Sequence, residues 1–188
     1  PTCLVRLHSG RLGLVYGRQR GGGGGTLPSH ALCFRTSGAE GTSWSKETPI
    51  NQPGETASNY HDTLIQLKSR RLILPTRFCP PCTFEELSNA GVWGTFQGAR
   101  FKVEGHAHSP EIDTSQVYLS DDEGATWQRG PQDIVIWHQD GHGGMWPCDE
   151  PNAVQLKDGR LLMMFRTTLG RLYQSFSADE GITWSLPQ

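Results

Sequence analysis

Three stretches of the chain repeat one pattern of apolar and polar positions. They read VRLHSGRLGLVYGR at residues 5–18, IQLKSRRLILPTR at residues 65–77 and VQLKDGRLLMMFR at residues 154–166. Because successive side chains of a strand point to opposite faces of the sheet, short alternating runs of this kind favour strands. Each stretch therefore predicts a strand, a tight polar turn, and a second strand that ends at or near an arginine.

The turn inside each stretch differs between the copies. Ser9-Gly10 and Asp158-Gly159 are typical of tight hairpin turns, in which glycine takes a positive φ at little cost. In the second stretch Arg70 replaces the glycine. We expect that turn either to differ from the other two or to carry strain.

An octapeptide of the form Ser-x-Asp-x-Gly-x-Thr-Trp follows the second and third stretches. It reads SDDEGATW at residues 120–127 and SADEGITW at residues 177–184. After the first stretch, SGAEGTSW at residues 37–44 is a worn copy, with Ala39 and Ser43 in the aspartate and threonine positions. The aspartate can accept backbone N–H groups within a turn, and the glycine can take a positive φ. The tryptophan can pack between neighbouring sheets.

The alternating segments SQVYLS and LYQSFS precede the two intact octapeptides and predict the incoming strands. Each octapeptide thus marks a hairpin between the outer strands of a repeated unit of four short strands. Repeated four-stranded antiparallel units are typical of a β-propeller. The sequence therefore predicts an all-β fold.

Composition narrows the class of function. The 188 residues carry a formal net charge of -2 with no run of Lys or Arg, which argues against nucleic acid as a partner. No apolar stretch approaches the roughly 20 residues of a membrane-spanning helix. The 23 glycines and 12 prolines favour turns over long helices. The five cysteines are irregularly spaced and indicate neither a disulfide framework nor a redox compartment.

The octapeptide is the Asp-box, or bacterial neuraminidase repeat, and the chain resembles the sialidase superfamily over essentially its whole length. The resemblance is firmest at residues 57–75 and 149–187. It implies a partial six-bladed β-propeller of about three four-stranded antiparallel blades with Asp-box hairpins. These would be a blade at residues 1–58, a blade with a long insertion at residues 59–148, and an incomplete blade at residues 149–188.

The resemblance also separates structural from functional segments. In this family the Asp-boxes lie on the rim of the propeller, away from the active site, so we expect them to build blades and not to do chemistry. The insertion between Phe78 and Ser115 is expected to cover part of the pocket face. We expect the chain to be a fragment that is inactive alone, because a half propeller leaves open sheet edges. The residues themselves do not indicate a cellular compartment, and the resemblance alone favours an extracytoplasmic location.

The strongest candidate residues for chemistry are Glu150 and Arg166. The turn at Asp158-Gly159 folds two strands back on each other, so the two residues are expected near each other at one end of the hairpin. By the resemblance, Glu150 would polarise a tyrosine nucleophile, and Arg166 would be one of three arginines that clamp the substrate carboxylate. A guanidinium matches a planar carboxylate. The alternative interpretation is a structural ion pair at a strand end.

Four further residues are weaker candidates. Arg77 ends its strand as the arginine of the third stretch does, and Arg18 comes one residue late; both are either substrate ligands or solvated strand ends. His61 and Asp62 stand where the strand of the second blade begins. His61 is a candidate substrate contact. Asp62 would protonate a leaving oxygen if its pKa were raised, or it is a turn or cap residue.

The segment WHQDGHGGMWPC at residues 137–148 is rich in glycine, tryptophan and histidine. His142 and Trp146 suit a sugar site, because aromatic rings stack on sugar faces, or the segment is a crossover loop with a tryptophan packed beneath it. The spacing Cys79-x-x-Cys82, with His106 and His108 nearby, is weak evidence for zinc. We predict no metal and no organic cofactor.

Together these features predict an exo-sialidase-like glycoside hydrolase that removes a terminal sialic acid from glycoconjugates. Its partner would be a sialylated or other acidic glycan. The resemblance places the first arginine and the acid aspartate before Pro1, and the third arginine and the tyrosine beyond Gln188. Two alternatives stay open: a non-catalytic Asp-box propeller that binds carbohydrate or protein, and a glycosidase of the same scaffold that acts on another sugar.

Overall fold

The computed structural model describes residues 2–19, 30–53, 55, 57–59, 61–78, 92–96, 99–103, 114–138, 144–146, 148–167 and 169–188. Every regular element in these ranges is a β-strand, which confirms the predicted all-β class. The strands are β1 Thr2–Arg6, β2 Leu12–Gln19, β3 His30–Ser37, β4 Thr48–Pro49, β5 Ala57–Ser58, β6 Ile65–Gln66, β7 Leu72–Phe78, β8 Val92–Phe96, β9 Ala99–Val103, β10 Thr114–Ser120, β11 Gln128–Arg129, β12 Ile136–His138, β13 Gly144–Trp146, β14 Asp149–Gln155, β15 Leu161–Arg166 and β16 Tyr173–Ser177.

The strands form three blade-like antiparallel sheets and two separate hairpins. The first sheet has the order β1-β2-β3-β4, the second β11-β10-β7-β5 with β6 also paired to β7, and the third β14-β15-β16. The hairpins are β8-β9 and β12-β13. Consecutive strands pair in the first and third sheets, and in the second β7 pairs β5, β6 and β10. The Asp-boxes begin at the last residues of β3, β10 and β16. The predicted partial propeller of antiparallel sheets is confirmed.

Two apolar clusters hold the three sheets together, one on each face of the second sheet. Leu72 and Leu74 of β7 lie in the cluster shared with the first sheet, whereas Ile73 lies in the cluster shared with the third. This division follows from the period of two along a strand. Because both faces of β7 and β10 are covered, every residue of β10 is buried, whereas buried and half-buried residues alternate along β15 from Leu161 to Phe165.

The turn at Arg70 has the same hydrogen bond as its two counterparts. Arg70 N donates to Leu67 O at 2.9 Å, as Gly10 N donates to Leu7 O at 2.8 Å. The φ of Arg70 is 81°, close to the 86° of Gly10, which is the left-handed region that a side chain disfavours. Of the two expected outcomes, strain is therefore the one that the structure shows.

Candidate functional site

The β14–β15 hairpin brings Glu150 and Arg166 together at the end opposite its turn. Arg166 Nη1 donates to Glu150 Oε1 at 3.1 Å and to Asp149 Oδ2 at 3.3 Å. Asp149 is the Cα partner of Arg166 in the strand pairing. The proximity predicted from the hairpin is thus present, and the catalytic roles of the two residues stay predictions.

A β-bulge shapes the start of β14. The pairing register shifts between Asp149 and Asn152, and Glu150 has a φ of 47°. Glu150 N donates to Asp149 Oδ1 at 2.8 Å. Bulges re-aim side chains and are frequent beside active sites, and a left-handed non-glycine residue persists only where its surroundings hold it. The bulge therefore sets the direction of the Glu150 side chain.

Strand β7 of the second sheet and the loop between β5 and β6 contribute one more residue each to this cluster. Arg77, near the end of β7, lies with its Nε 3.5 Å from Asp149 Oδ1. His61 Nε2 lies 3.7 Å from Glu150 Oε2, an ion pair only when the imidazole is protonated. The cluster of His61, Arg77, Asp149, Glu150 and Arg166, called the mouth cluster below, thus joins the second sheet to the third.

The mouth cluster has a buried layer and an accessible one. The side chains of Arg77 and Asp149 are only 5% and 13% exposed, whereas that of Arg166 is 54% exposed and that of Glu150 28%. Two carboxylates face two guanidiniums, so the formal charges of these four groups balance. Arg166 and Glu150 are thus the solvent-exposed members of the four, and a guanidinium can bind an anion while a carboxylate can accept a proton.

The sequence of the whole chain places it in a family. The family model described as "BNR repeat-like domain" matches residues 1–188. The chain belongs to the BNR repeat-like domain family. No curated protein shows a significant sequence match to it.

Solved structures similar to this BNR repeat-like chain include propellers of sugar-processing enzymes. The Hadza microbial sialidase Hz136 superimposes with a TM-score of 0.64 at 14% identity, over 98% of this chain and 32% of its own. The α-L-arabinanase of Penicillium chrysogenum complexed with arabinobiose also gives 0.64 at 14%, over 99% and 47%. NanB with Optactamide gives 0.61 at 13%, over 98% and 43%.

This similarity fixes the fold of the BNR repeat-like chain. At such identities a structural likeness carries the architecture, because one scaffold supports many substrates. The chain spans 32% to 47% of the length of these solved structures. A sialidase and an arabinanase superimpose on the chain with the same TM-score, so the fold does not indicate whether a substrate sugar is acidic or neutral.

Two predicted site residues make their contacts on the first sheet. Asp62 Oδ1 accepts a hydrogen bond from Leu4 N of β1 at 3.0 Å. Arg18, at the end of β2, lies with Nη2 3.3 Å from Glu47 Oε1. The structure therefore does not group them with Glu150 through these contacts, and their proposed roles in acid catalysis and substrate binding stay predictions.

The remaining candidates lie in or beside segments outside the described residues. Trp146 belongs to β13, but only its backbone is described, and His142 lies outside the described ranges. The four zinc candidates Cys79, Cys82, His106 and His108 also lie outside them. Within the described ranges, no group of three or more His, Cys, Asp or Glu side chains is arranged to hold a metal ion. The same ranges contain no helix long and apolar enough to cross a membrane.

Sequence reasoning missed Asp149, the residue at the centre of the mouth cluster. A hairpin without a bulge places Glu150 directly opposite Arg166, because the pairing Gln155↔Leu161 continues stepwise to Asn152↔Met164. The bulge moves Asp149 into that position instead. The signal available in the sequence was a second carboxylate beside Glu150, but nothing in the pattern of residues predicts where a bulge falls.

Proposed function

We propose that the chain supplies part of the active site of a propeller glycoside hydrolase, and that this enzyme is an exo-sialidase. The observation that supports the proposal is the contact of 3.1 Å between Arg166 Nη1 and Glu150 Oε1 at the accessible edge of the mouth cluster. Membership of the BNR repeat-like domain family agrees with it. The substrate would be a glycan with a terminal acidic sugar.

In the proposed reaction Arg166 binds the carboxylate of the sugar, and Glu150 takes the proton of a tyrosine nucleophile. The phenolate then attacks the anomeric carbon, the glycosidic bond breaks, and the leaving oxygen takes a proton from an acid. Water later hydrolyses the tyrosyl intermediate. Three described tyrosines have other contacts: Tyr16 donates to Glu47, Tyr118 donates to Glu55, and Tyr173 is buried in the apolar cluster shared with the third sheet. None of these three contacts is with Glu150, so the proposed nucleophile is another residue.

A glycosidase acting on a neutral sugar is the second candidate. The charges of the two carboxylates and two guanidiniums of the mouth cluster balance, and Arg77 is 5% exposed against Asp149, which leaves Arg166 as the accessible guanidinium of that cluster. A sugar without a carboxylate would need no more than hydrogen bonds from this one arginine. A binding module without turnover is the third candidate, because the propeller fold alone does not require catalysis.

The test is hydrolysis of two fluorogenic glycosides, an α-sialoside and an α-L-arabinofuranoside, by the protein that carries this chain. Glu150→Gln keeps the size of the side chain and removes its basicity, and Arg166→Ala removes the anion ligand. We expect sialoside turnover in the wild type and a loss of at least 100-fold in kcat/KM in each variant, the scale of losing a positioned acid–base group.

Arg160→Ala is the matched control, since Arg160 is an exposed arginine of the same hairpin and pairs with Asp158 at 2.8 Å. It should retain wild-type turnover. Hydrolysis of the arabinofuranoside but not of the sialoside would mean that the substrate carries a neutral sugar, and it would overturn the exo-sialidase. Folded wild-type protein that binds either sugar but hydrolyses neither would overturn the enzyme in favour of a binding propeller.

A further inference from the structure

Asp149 contacts three groups of the mouth cluster: the backbone amide of Glu150 and the guanidiniums of Arg77 and Arg166. Its Oδ1 accepts a hydrogen bond from Glu150 N at 2.8 Å and lies 3.5 Å from Arg77 Nε. Its Oδ2 accepts from Arg166 Nη1 at 3.3 Å. The side chain is 13% exposed and that of Arg77 5%, so this pair is shielded from water, whereas the contact with Arg166, which is 54% exposed, lies at the surface. One carboxylate therefore links a backbone amide and two guanidiniums from two different sheets.

The Glu150 backbone is the element that needs such support. Its φ of 47° lies in the left-handed region, which a non-glycine residue disfavours because its Cβ approaches the following carbonyl oxygen. Pro151 follows and further restricts the conformation of the residue before it. The conformation is kept because surrounding contacts offset its cost, and the bond from Glu150 N to Asp149 Oδ1 is such a contact.

We propose that Asp149 is a positioning residue for the mouth cluster, with a separate task for each of its oxygens. Oδ1 holds the left-handed Glu150 backbone, so that the Glu150 carboxylate faces the ligand. Oδ2 holds Arg166 in the direction in which it meets a substrate anion, while buried Arg77 keeps the carboxylate in place. This inference rests on the proposed function for what Glu150 and Arg166 do.

The two tasks are separable by substitution. Asp149→Asn retains an oxygen that can accept the Glu150 amide, but it removes the charge that orients Arg166. Asp149→Ala removes both. The matched control is Asp158→Asn, because Asp158 is an exposed aspartate at the other end of the same hairpin and also pairs with an arginine.

The first measurement is amide hydrogen exchange of Glu150 in the full chain. We expect exchange at least 10-fold faster in Asp149→Ala, and within about 3-fold of wild type in Asp149→Asn and Asp158→Asn. The second is a kcat and KM comparison on the glycoside that the protein hydrolyses. Asp149→Asn should raise KM about 10-fold with little change in kcat, the scale of losing one charged hydrogen bond. Asp149→Ala should also lower kcat, by about 100-fold.

A merely structural role predicts a different result. Loss of folded protein lowers the apparent kcat and leaves KM unchanged, so an unchanged KM in Asp149→Asn overturns the task assigned to Oδ2. Unchanged Glu150 exchange in Asp149→Ala overturns the task assigned to Oδ1. If Asp149→Ala does not fold, the KM of Asp149→Asn still decides. Fast exchange in Asp149→Ala with no hydrolysis of any glycoside supports the positioning and overturns the hydrolase instead.

Discussion

The Asp-boxes of the first and second sheets have one backbone shape but different surroundings. Glu40 and Glu123 have φ of 51° and 55°, and the glycines that follow them, Gly41 and Gly124, have 82° and 87°. The box of the second sheet packs on the first sheet, with the Trp127 ring centroid 5.4 Å from that of Phe34 in a T-shaped arrangement. No such preceding sheet is described for the box of the first sheet.

The hydrogen bonds of the two boxes differ as well. In the second, Asp122 accepts from Thr126 N at 2.8 Å, from Thr126 Oγ1 at 2.6 Å and from Ser120 Oγ at 2.8 Å. In the first, Ala39 has no carboxylate; its backbone oxygen accepts from Thr42 N, as that of Asp122 accepts from Ala125 N, and also from Thr42 Oγ1 at 2.7 Å. The backbone shape thus survives without the aspartate. The comparison suggests that the serine and the glycine set the turn, and that the aspartate adds stability to it.

The largest difference should appear when the box glycines are replaced. A Cβ on Gly124 would lie 2.0 Å from Phe34 Cε1, whereas a Cβ on Gly41 has Trp44 Cζ2 at 3.8 Å as its nearest neighbour. Both substitutions strain the left-handed backbone, but only Gly124→Ala also overpacks the contact between sheets. We expect Gly124→Ala to lower the free energy of unfolding by roughly 2–4 kcal/mol and Gly41→Ala by about 1 kcal/mol.

Urea denaturation at pH 7 measures both values on the full chain. Because φ is nearly the same at the two glycines, Gly41→Ala controls for backbone strain, and the difference between the variants reports the contact with Phe34. Equal losses in the two variants would show that the second box does not depend on packing against the first sheet.

An intermediate effect is expected from the box aspartates. Asp122→Ala removes the acceptor of the Thr126 amide and hydroxyl, and should cost about 1–2 kcal/mol at pH 7. Ala39→Asp places a carboxylate where the worn copy lacks one, with Ser43 in the position of the threonine, and should add about 0.5–1 kcal/mol. The free energy of unfolding in urea checks both directions. A loss of stability in Ala39→Asp would mean that the first box has diverged in more than its side chains.

The pH dependence of the Asp122 effect has a definite sign. Partial burial opposes ionisation, but the hydrogen bonds that the carboxylate accepts from Thr126, Ser120 and its own backbone together outweigh it and lower the pKa of Asp122. A lowered folded-state pKa gives stability that is present above the unfolded value of about 3.9 and is lost as the pH falls through the folded value. The difference between wild type and Asp122→Ala should therefore be constant from pH 7 to about pH 5 and shrink in more acidic solution.

Local patterns of this chain predict its fold well and its site only in part. The period of two and the Asp-box residues identify the strands, because both depend on neighbours along the chain. The contact of Gly124 with Phe34 joins residues far apart in sequence, so no short pattern shows it. The mouth cluster was half predicted: the hairpin brings Arg166 to Glu150, but the bulge that inserts Asp149, and the approach of Arg77 from another sheet, arise only in the folded chain.

The smallest effect concerns the other repeated turn, where Arg70 stands in place of glycine. Its φ of 81° matches Gly10 and Gly159, with 86° and 94°, so the comparison between a worn and an intact copy can be repeated here. Arg70→Gly removes the left-handed strain but gives the unfolded chain more freedom, and the free energy of unfolding should rise by about 0.5–1 kcal/mol.

Gly159→Ala is the reverse change, at a position where a Cβ meets nothing within 4 Å. It should lose a similar amount in the same urea titration. Equal stability of Arg70→Gly and wild type would mean that contacts of the arginine offset the strain of its backbone.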